Sequence, residues 1–457
     1  MSQAVDTFVE RNQSRLLEEL KEFLRIPSVS TLPEHKPDIA RAADFVAERL
    51  RRAGIENVEI IPTDGNPLIY GDWLHAPGKP TVLCYGHYDV QPPDPLDEWR
   101  NPPFEPTVSD GNIYARGSAD DKGQMYMHIK AVEALRAVHG TLPVNLKFLA
   151  EGEEEIGGAS IAKYVAANCV KLKSDIALVS DTALYADGLP TLCIGLRGMV
   201  YMEIEATGPA RDLHSGLYGG ASPNPIFGLI ELLAKCKDAN GRILVPGVYD
   251  DVAPPAPVEK ESWAKLPFDE AGFLRNEVGS SRLTGESGFS VQERTWARPT
   301  FEVHGIAGGF TGAGAKTVIP SRATAKVSFR LVPNQDPQKI LALFRAFVVR
   351  EAPAGVRMDV RLLSMTPAVN VNPDHPLIQA AARAFSDKLA KPTVFTRTGL
   401  TIPVVTDFAA HLGIPTVLMG FGLPDDGLHS PNEKYRLQNY YLGIMTIAHF
   451  FEELDAK

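Results

Sequence analysis

LCYGHYDVQ, residues 83–91, ends an apolar run and at once sets down an imidazole and a carboxylate. Val82, Leu83 and Cys84 read as a buried strand, and His87 and Asp89 follow one residue apart. In extended chain, residues i and i+2 point to the same face. The pair therefore has the spacing of a metal ligand and the carboxylate that orients it. A surface turn with two polar residues has the same spacing, so the rest of the chain must decide.

At 457 residues the chain is too long for one ordinary core, and two domains are expected. Hydrophobic residues make up 44% and charged residues 22%, the composition of a globular protein. A net charge of −10 speaks against non-specific binding to nucleic acid or an anionic membrane. No apolar run approaches the length of a spanning helix. The N-terminal stretch lacks a basic segment followed by an apolar one. Its Leu16, Leu17, Leu20, Phe23 and Leu24 follow helical spacing until Pro27, as in the first helix of a cytoplasmic protein. Cys84, Cys169, Cys193 and Cys236 are scattered, with no CxxC pair and no disulfide framework. A thiolate metal site or redox role is not expected.

From TVLCYG (81–86) onward, short apolar strands alternate with helical patterns: a helix at 122–139, a strand at 144–151, a helix at 159–168 and a strand at 175–181. This is the pattern of a mixed, mostly parallel α/β sheet covered by helices. Near 199 the style changes. MVYMEIEATG alternates apolar and polar residues like a half-exposed strand, and ATAKVSFRLVP (323–333) does so again. Between them lie a helix at 223–237 and a long stretch broken by Pro and Gly, including VAPPAPVEK. The first style returns near 366, with a helix at 376–389, the strand PTVLMG (415–420) and a last helix from about 434. The expected organisation is a discontinuous α/β domain, 1–198 and 366–457, interrupted by an inserted α+β domain, 199–365.

The acids and imidazoles cluster where buried strands end. His87 and Asp89 follow the first strand, Asp120 and Asp121 lie in ARGSADDKG, and Glu151, Glu153, Glu154 and Glu155 lie in AEGEEEIGG. Asp181 ends DIALVSD, and His429 lies in GLHSPNEK soon after PTVLMGFG. In open α/β sheets, sites gather at the carboxyl ends of the strands. Two imidazoles with several carboxylates and no thiolate suit Zn²⁺ or Mn²⁺. The candidates outnumber the needs of one catalytic zinc, whereas two ions sharing a bridging carboxylate would use them all. A non-ligand Glu would serve as the base. Taken alone, the glutamate run also reads as a solvated acidic loop.

GHYDVQP, ARGSADDKG, EGEEEIGG, SDT, RDLHSGLYGG, KTVIPSRATAKVSFRLVP and GLHSPNEK appear in the order seen in the di-zinc peptidases, and the chain resembles that family over roughly 15–455. The family includes carnosinase, succinyl-diaminopimelate desuccinylase, acetylornithine deacetylase and glutamate carboxypeptidase. RDLHSG and RLVPN resemble the carnosinase-type branch most. The resemblance implies that His87, Asp120, Glu155, Asp181 and His429 bind two divalent ions per subunit, with Zn²⁺ expected and Mn²⁺ or Co²⁺ as alternatives. Asp120 would bridge, and its peptide to Asp121 would be cis. Asp89 would hold the His87 ring, and Glu154 would be the base. His214 would stabilise an oxyanion from the partner subunit of a homodimer, and Arg330 would grip the substrate's carboxylate. Thr317, His375 and Thr401 would contact substrate. RTGLTIP (397–403) departs from the Gly-Gly-Ser-Ile-Pro of the branch, which bears on the pocket's shape.

The function expected is metal-dependent hydrolysis of an amide bond beside a free carboxylate, in a dipeptide or similar short peptide. An N-acyl-amino-acid deacylase would use the same centre with another acyl pocket. A non-catalytic metal- or peptide-binding protein would lack the base or a ligand, and this chain keeps both.

Overall fold

The computed structural model describes residues 3–455, which divide into two compact units. Among these, the first comprises 3–194, 371–396 and 403–455, and the second 195–370 and 397–402. The sequence reading put its boundaries at 199 and 365, whereas these units divide after 194 and 370. The short return of 397–402 to the second unit was not expected. Its cause is specific: Arg397 binds Glu259 at 2.6 Å, and Thr401 donates to the Arg197 carbonyl at 2.6 Å.

In the first unit the strand order is Glu56–Ile61, Leu68–Trp73, Asn145–Glu151, Thr81–His87, Ile176–Val179, Thr416–Leu418 and Thr191–Leu196. The four strands in the middle are parallel, and the flanking pairs are antiparallel. Thr81–His87, buried from its second residue onward, lies between the two strands that follow it in sequence. The chain thus crosses over it, and the carboxyl ends on either side open a crevice at this switch point. The helix Lys122–His139 is buried along most of its length, as befits a crossover helix covering a parallel sheet. The opening of this unit, a helix Lys36–Ala53 and an antiparallel edge pair, was not read from sequence. Glu56–Ile61 is largely exposed, so it carries no apolar run.

The second unit has a four-stranded antiparallel sheet in the order Thr300–Gly308, Arg322–Leu331, Gly198–Thr207, Arg357–Thr366. Strict alternation in Gly198–Thr207 sends Val200, Met202, Ile204 and Ala206 to one face. These pack in one core with Leu229 and Leu232 of the helix Pro225–Ala234 and with Ile340, Phe344 and Phe347 of Pro337–Glu351. At its centre Phe301, Phe329 and Phe344 meet in tilted and edge-on contacts, with ring centroids 4.9, 5.3 and 5.7 Å apart.

Phe344→Ala should cost about 3–5 kcal/mol, the usual range for emptying a buried aromatic site. Urea unfolding would read this as a lower midpoint. A shift equivalent to less than ~1 kcal/mol would mean that the triad does not organise this core.

Candidate metal centre

His87 is the last residue of its strand and is fully buried. Gly86 lets the chain pass there. A Cβ on Gly86 would lie 2.4 Å from Met125 and 2.9 Å from the Asp121 carboxylate, which accepts the His87 amide at 3.1 Å. The His87 ring has its Nδ1 against Asp89, 3.1 Å from the carbonyl and 3.4 Å from Oδ1. Its Nε2 is thereby left to face Asp120 Oδ1 at 3.1 Å.

Asp120 lies just before the Lys122–His139 helix, and its peptide bond to Asp121 is cis. Its second oxygen, Oδ2, is 3.0 Å from His429 Nε2. That imidazole comes from the loop after Thr416–Leu418 and also reaches Glu155 Oε2 at 3.3 Å. Two triads result, His87–Asp120–Asp181 and Asp120–Glu155–His429, each with donor atoms within 4.8 Å of one another. They share Asp120. All five residues expected to bind metal therefore converge.

Burial works against Asp120's charge, yet hydrogen bonds from His429 and His87 hold its carboxyl below the usual carboxylate range. Burial likewise opposes the His87 charge, but Asp120 and Asp89 hold its pKa well up. Hydrogen bonds to the Asp120 and Glu155 carboxylates raise His429 to about 10. Around them the acids crowd: burial and then Asp120 push Asp181 to about 7. Glu154 is driven well up by burial, with Asp181 and Glu155 adding to it. Such a surplus of buried carboxylate, open to two nitrogen donors, is relieved by cations. A nitrogen-and-oxygen donor set without thiolate fits Zn²⁺ or Mn²⁺.

The three consecutive glutamates separate by their partners. Glu153 is buried and accepts the amides of Asn66 at 2.8 Å and Ser160 at 3.0 Å. Glu155 joins His429 and accepts Gln91 Nε2 at 2.8 Å. Between them, Glu154 has its amide, like that of Glu155, on the Asp89 carboxylate, at 3.3 and 3.2 Å. Asp89 thus fixes both the His87 ring and the turn that carries Glu154. Gln91 was missed in the sequence, although it stands two residues beyond Asp89 and so on the same side of an extended chain.

Four of the other expected residues belong to the second unit. His214 is exposed in a short strand, Leu213–His214, paired with Val318–Ile319 beside Thr317. Its Nδ1 accepts the Gly216 amide at 3.0 Å. Arg330 donates to Thr401 Oγ1 at 2.8 Å. His375, in the first unit, caps the helix Pro376–Leu389 by accepting the Leu377 amide. Arg197 was not anticipated. Burial, then the nearby Arg330, lowers it to about 10, and its buried Nε and Nη1 have no hydrogen-bond partner among the described residues. Open guanidinium donors on Arg197, beside the charge of Arg330, suit an anion.

The model of the peptidase family M20/M25/M40 matches residues 83–453. The chain is 33% identical to the Cys-Gly metallodipeptidase DUG1 of Candida albicans, over 96% of this chain and 94% of that one. It is also 33% identical to the human Beta-Ala-His dipeptidase, over 98% and 91% respectively. The solved M20 family metallo-carboxypeptidase Sso-CP2 from Sulfolobus solfataricus superposes with a TM-score of 0.88 at 31% identity, covering 97% of this chain and 99% of that one.

The separation of the glutamates leads to a paired test. Glu153→Gln should lose stability, by about 1.5–3 kcal/mol for a buried carboxylate that accepts backbone amides. It should keep turnover per folded molecule within a few-fold. Glu154→Gln should leave stability unchanged or raise it, and should lower kcat by about 10²–10⁴-fold, the worth of a positioned base. Thermal midpoints and dipeptide hydrolysis by the metal-loaded variants read both. The reverse pattern would move the base to Glu153.

Proposed function

This chain belongs to peptidase family M20/M25/M40, and we propose that it is a metal-dependent dipeptidase acting on short peptides with a free C-terminal carboxylate. Its relatives named for Cys-Gly and Beta-Ala-His dipeptides support the substrate class. The shared Asp120 carboxylate between His87 and His429 carries the reading. Two divalent ions, Zn²⁺ in our reading, would there activate a water and polarise the scissile carbonyl. His87, Asp120 and Asp181 would hold one, and Glu155 and His429, with Asp120 again, would hold the other.

Glu154 takes a proton from the attacking water. The water oxygen bonds to the carbonyl carbon, the C–N bond breaks, and Glu154 returns the proton to the leaving amine nitrogen. Burial, with the neighbouring acids adding to it, raises its pKa, which suits a group that must take up a proton and then give it back. Asp89 fixes the His87 ring, and Arg330 with Arg197 receives the substrate carboxylate. Thr401, Thr317 and His375 are assigned to substrate contact. None of the four cysteines forms a disulfide, which suits a reducing compartment, so we place the protein in the cytoplasm. No helix among the described residues is long and apolar enough to cross a membrane.

We further propose a homodimer through the second unit. Thr300–Gly308 is an edge strand with Ile306 50% exposed, and on the helix Pro225–Ala234 Phe227 is 63% exposed. An apolar edge strand of this kind needs a cover. In this reading His214 reaches the partner's centre and donates to the oxyanion.

Wild type should prefer a dipeptide over its C-terminal amide by roughly 30-fold or more in kcat/KM, since an unmet buried charge pair costs at least that. Arg330→Ala should treat acid and amide alike. Equal rates for both with wild type would remove the carboxylate from the reading.

For the dimer, His214→Ala and Glu154→Ala are co-expressed with different tags. A mixed dimer has one site with both groups, and random pairing makes half the dimers mixed, so roughly a quarter of wild-type activity should return. Tagged mixed dimers with only the activity of the single variants would show that His214 does not act across subunits.

A further inference from the structure

Within the first unit, the loop of His429 is tied to the loop of Asp120 by a carboxylate that is not a candidate ligand. Glu433 is fully buried. Its Oε1 accepts the amides of Ala119 at 2.8 Å and Asp120 at 3.2 Å. Its Oε2 accepts the amide of Gly117 at 2.9 Å and Arg116 Nη1 at 2.8 Å. The backbone runs the same way: Lys434–Arg436 pairs with Asn112–Tyr114, and the Ala115 amide donates to the Glu433 carbonyl at 3.1 Å. A second tie lies on the other side of Asp120. Gln124 Nε2 donates to the Ala119 carbonyl at 2.9 Å, and its Oε1 accepts the amides of Phe421 at 2.8 Å and Gly422 at 3.3 Å.

These ties bear unequally on the two triads. His87 ends one parallel strand, and Asp181 follows its neighbour Ile176–Val179, so the sheet ladder holds both. His429 has no such support. It sits in a loop at a positive φ of 59° with its side chain more than half exposed. What holds that loop against Asp120 is Glu433, four residues further on. We infer that Glu433 is a positioning residue for the metal centre: it locks Asp120 to the His429 loop and thereby sets how firmly the ion on the His429 side is held. The inference rests on the two-ion reading above.

A carboxylate is required for this. Four donors converge on its two oxygens, and the amide of a glutamine would present N–H to N–H at one of them, leaving buried donors unmet. Glu433→Gln is therefore close to isosteric but not conservative. Outer partners of metal ligands typically change metal affinity by about 10–100-fold.

The test uses the Zn²⁺-loaded full-length protein, dialysed against a graded chelator, with metal counted per chain and the thermal midpoint recorded with and without Zn²⁺. Wild type should hold two equivalents. Glu433→Gln should hold one as firmly as wild type and release the other at a chelator concentration about 10–100-fold lower. Its far-UV circular dichroism should be unchanged, and the rise in midpoint on adding Zn²⁺ should be smaller. If Glu433→Gln is not recovered folded, Gln124→Ala, which cuts the second tie, should show the same split. Two ions retained at the wild-type midpoint, or both loosened equally, would overturn the inference. One equivalent in wild type would instead overturn the two-ion reading, and this inference with it.

Discussion

One carboxylate divided between two imidazoles governs the first unit. Asp120 gives one oxygen to His87 and the other to His429, at 3.1 and 3.0 Å. A group that serves two partners cannot relax toward either, so both partners must be delivered to it. His87 arrives on the middle strand of a parallel sheet, and His429 arrives from a loop more than three hundred residues later. The parallel core, the crossover helix behind it and the buried ties to the later loop all answer that demand. Electrostatics sharpen it, because burial raises Asp181 and Glu154 while the imidazoles hold Asp120 down. Acids this close share a cation more readily than they share space.

The sequence made some of this legible because two rules act locally. Side chains alternate in strands, and sites lie beyond the carboxyl ends of parallel strands. His87 with Asp89, and Asp181 after its short apolar run, could be found from these alone. The assignments within the glutamate run came from resemblance, since nothing local distinguishes three neighbouring carboxylates. Arg197 escaped because its significance is relational: it is one basic residue in GLRG until Arg330 is brought near it. Thr401 was named only through resemblance, and its hydroxyl acts between Arg197 and Arg330, both distant in sequence. Residues 36–73 were silent for another reason. An exposed edge strand such as Glu56–Ile61 has no buried face to give it a period.

The second unit has the opposite chemistry. Its notable charges are two guanidiniums held near each other, against their mutual repulsion. RTGLTIP, where the chain leaves the pattern of the branch it resembles, is built into that arrangement. Arg397 anchors the segment on Glu259, within the Pro-broken stretch, and lies 5.6 Å from the Trp263 ring. Four residues later, Thr401 orients Arg330. The unusual segment and the long interruption before it are thus parts of one support, and a change in either shifts the same two guanidiniums.

Glu153, Glu154 and Glu155 show how far environment outweighs residue type. All three have the same side chain and adjacent positions. Glu153 turns to the Asn66 and Ser160 amides, which take up both of its oxygens and leave it nothing to offer a ligand. Glu155 turns to His429 and Gln91. Glu154 is left between them with its backbone fixed by Asp89 and its carboxyl pushed up by burial and neighbouring acids. A carboxylate satisfied by backbone donors is held as structure, one facing an imidazole stands where a ligand would, and one left desolvated among like charges stands where a base would. In this chain, donor geometry sets the three glutamates apart.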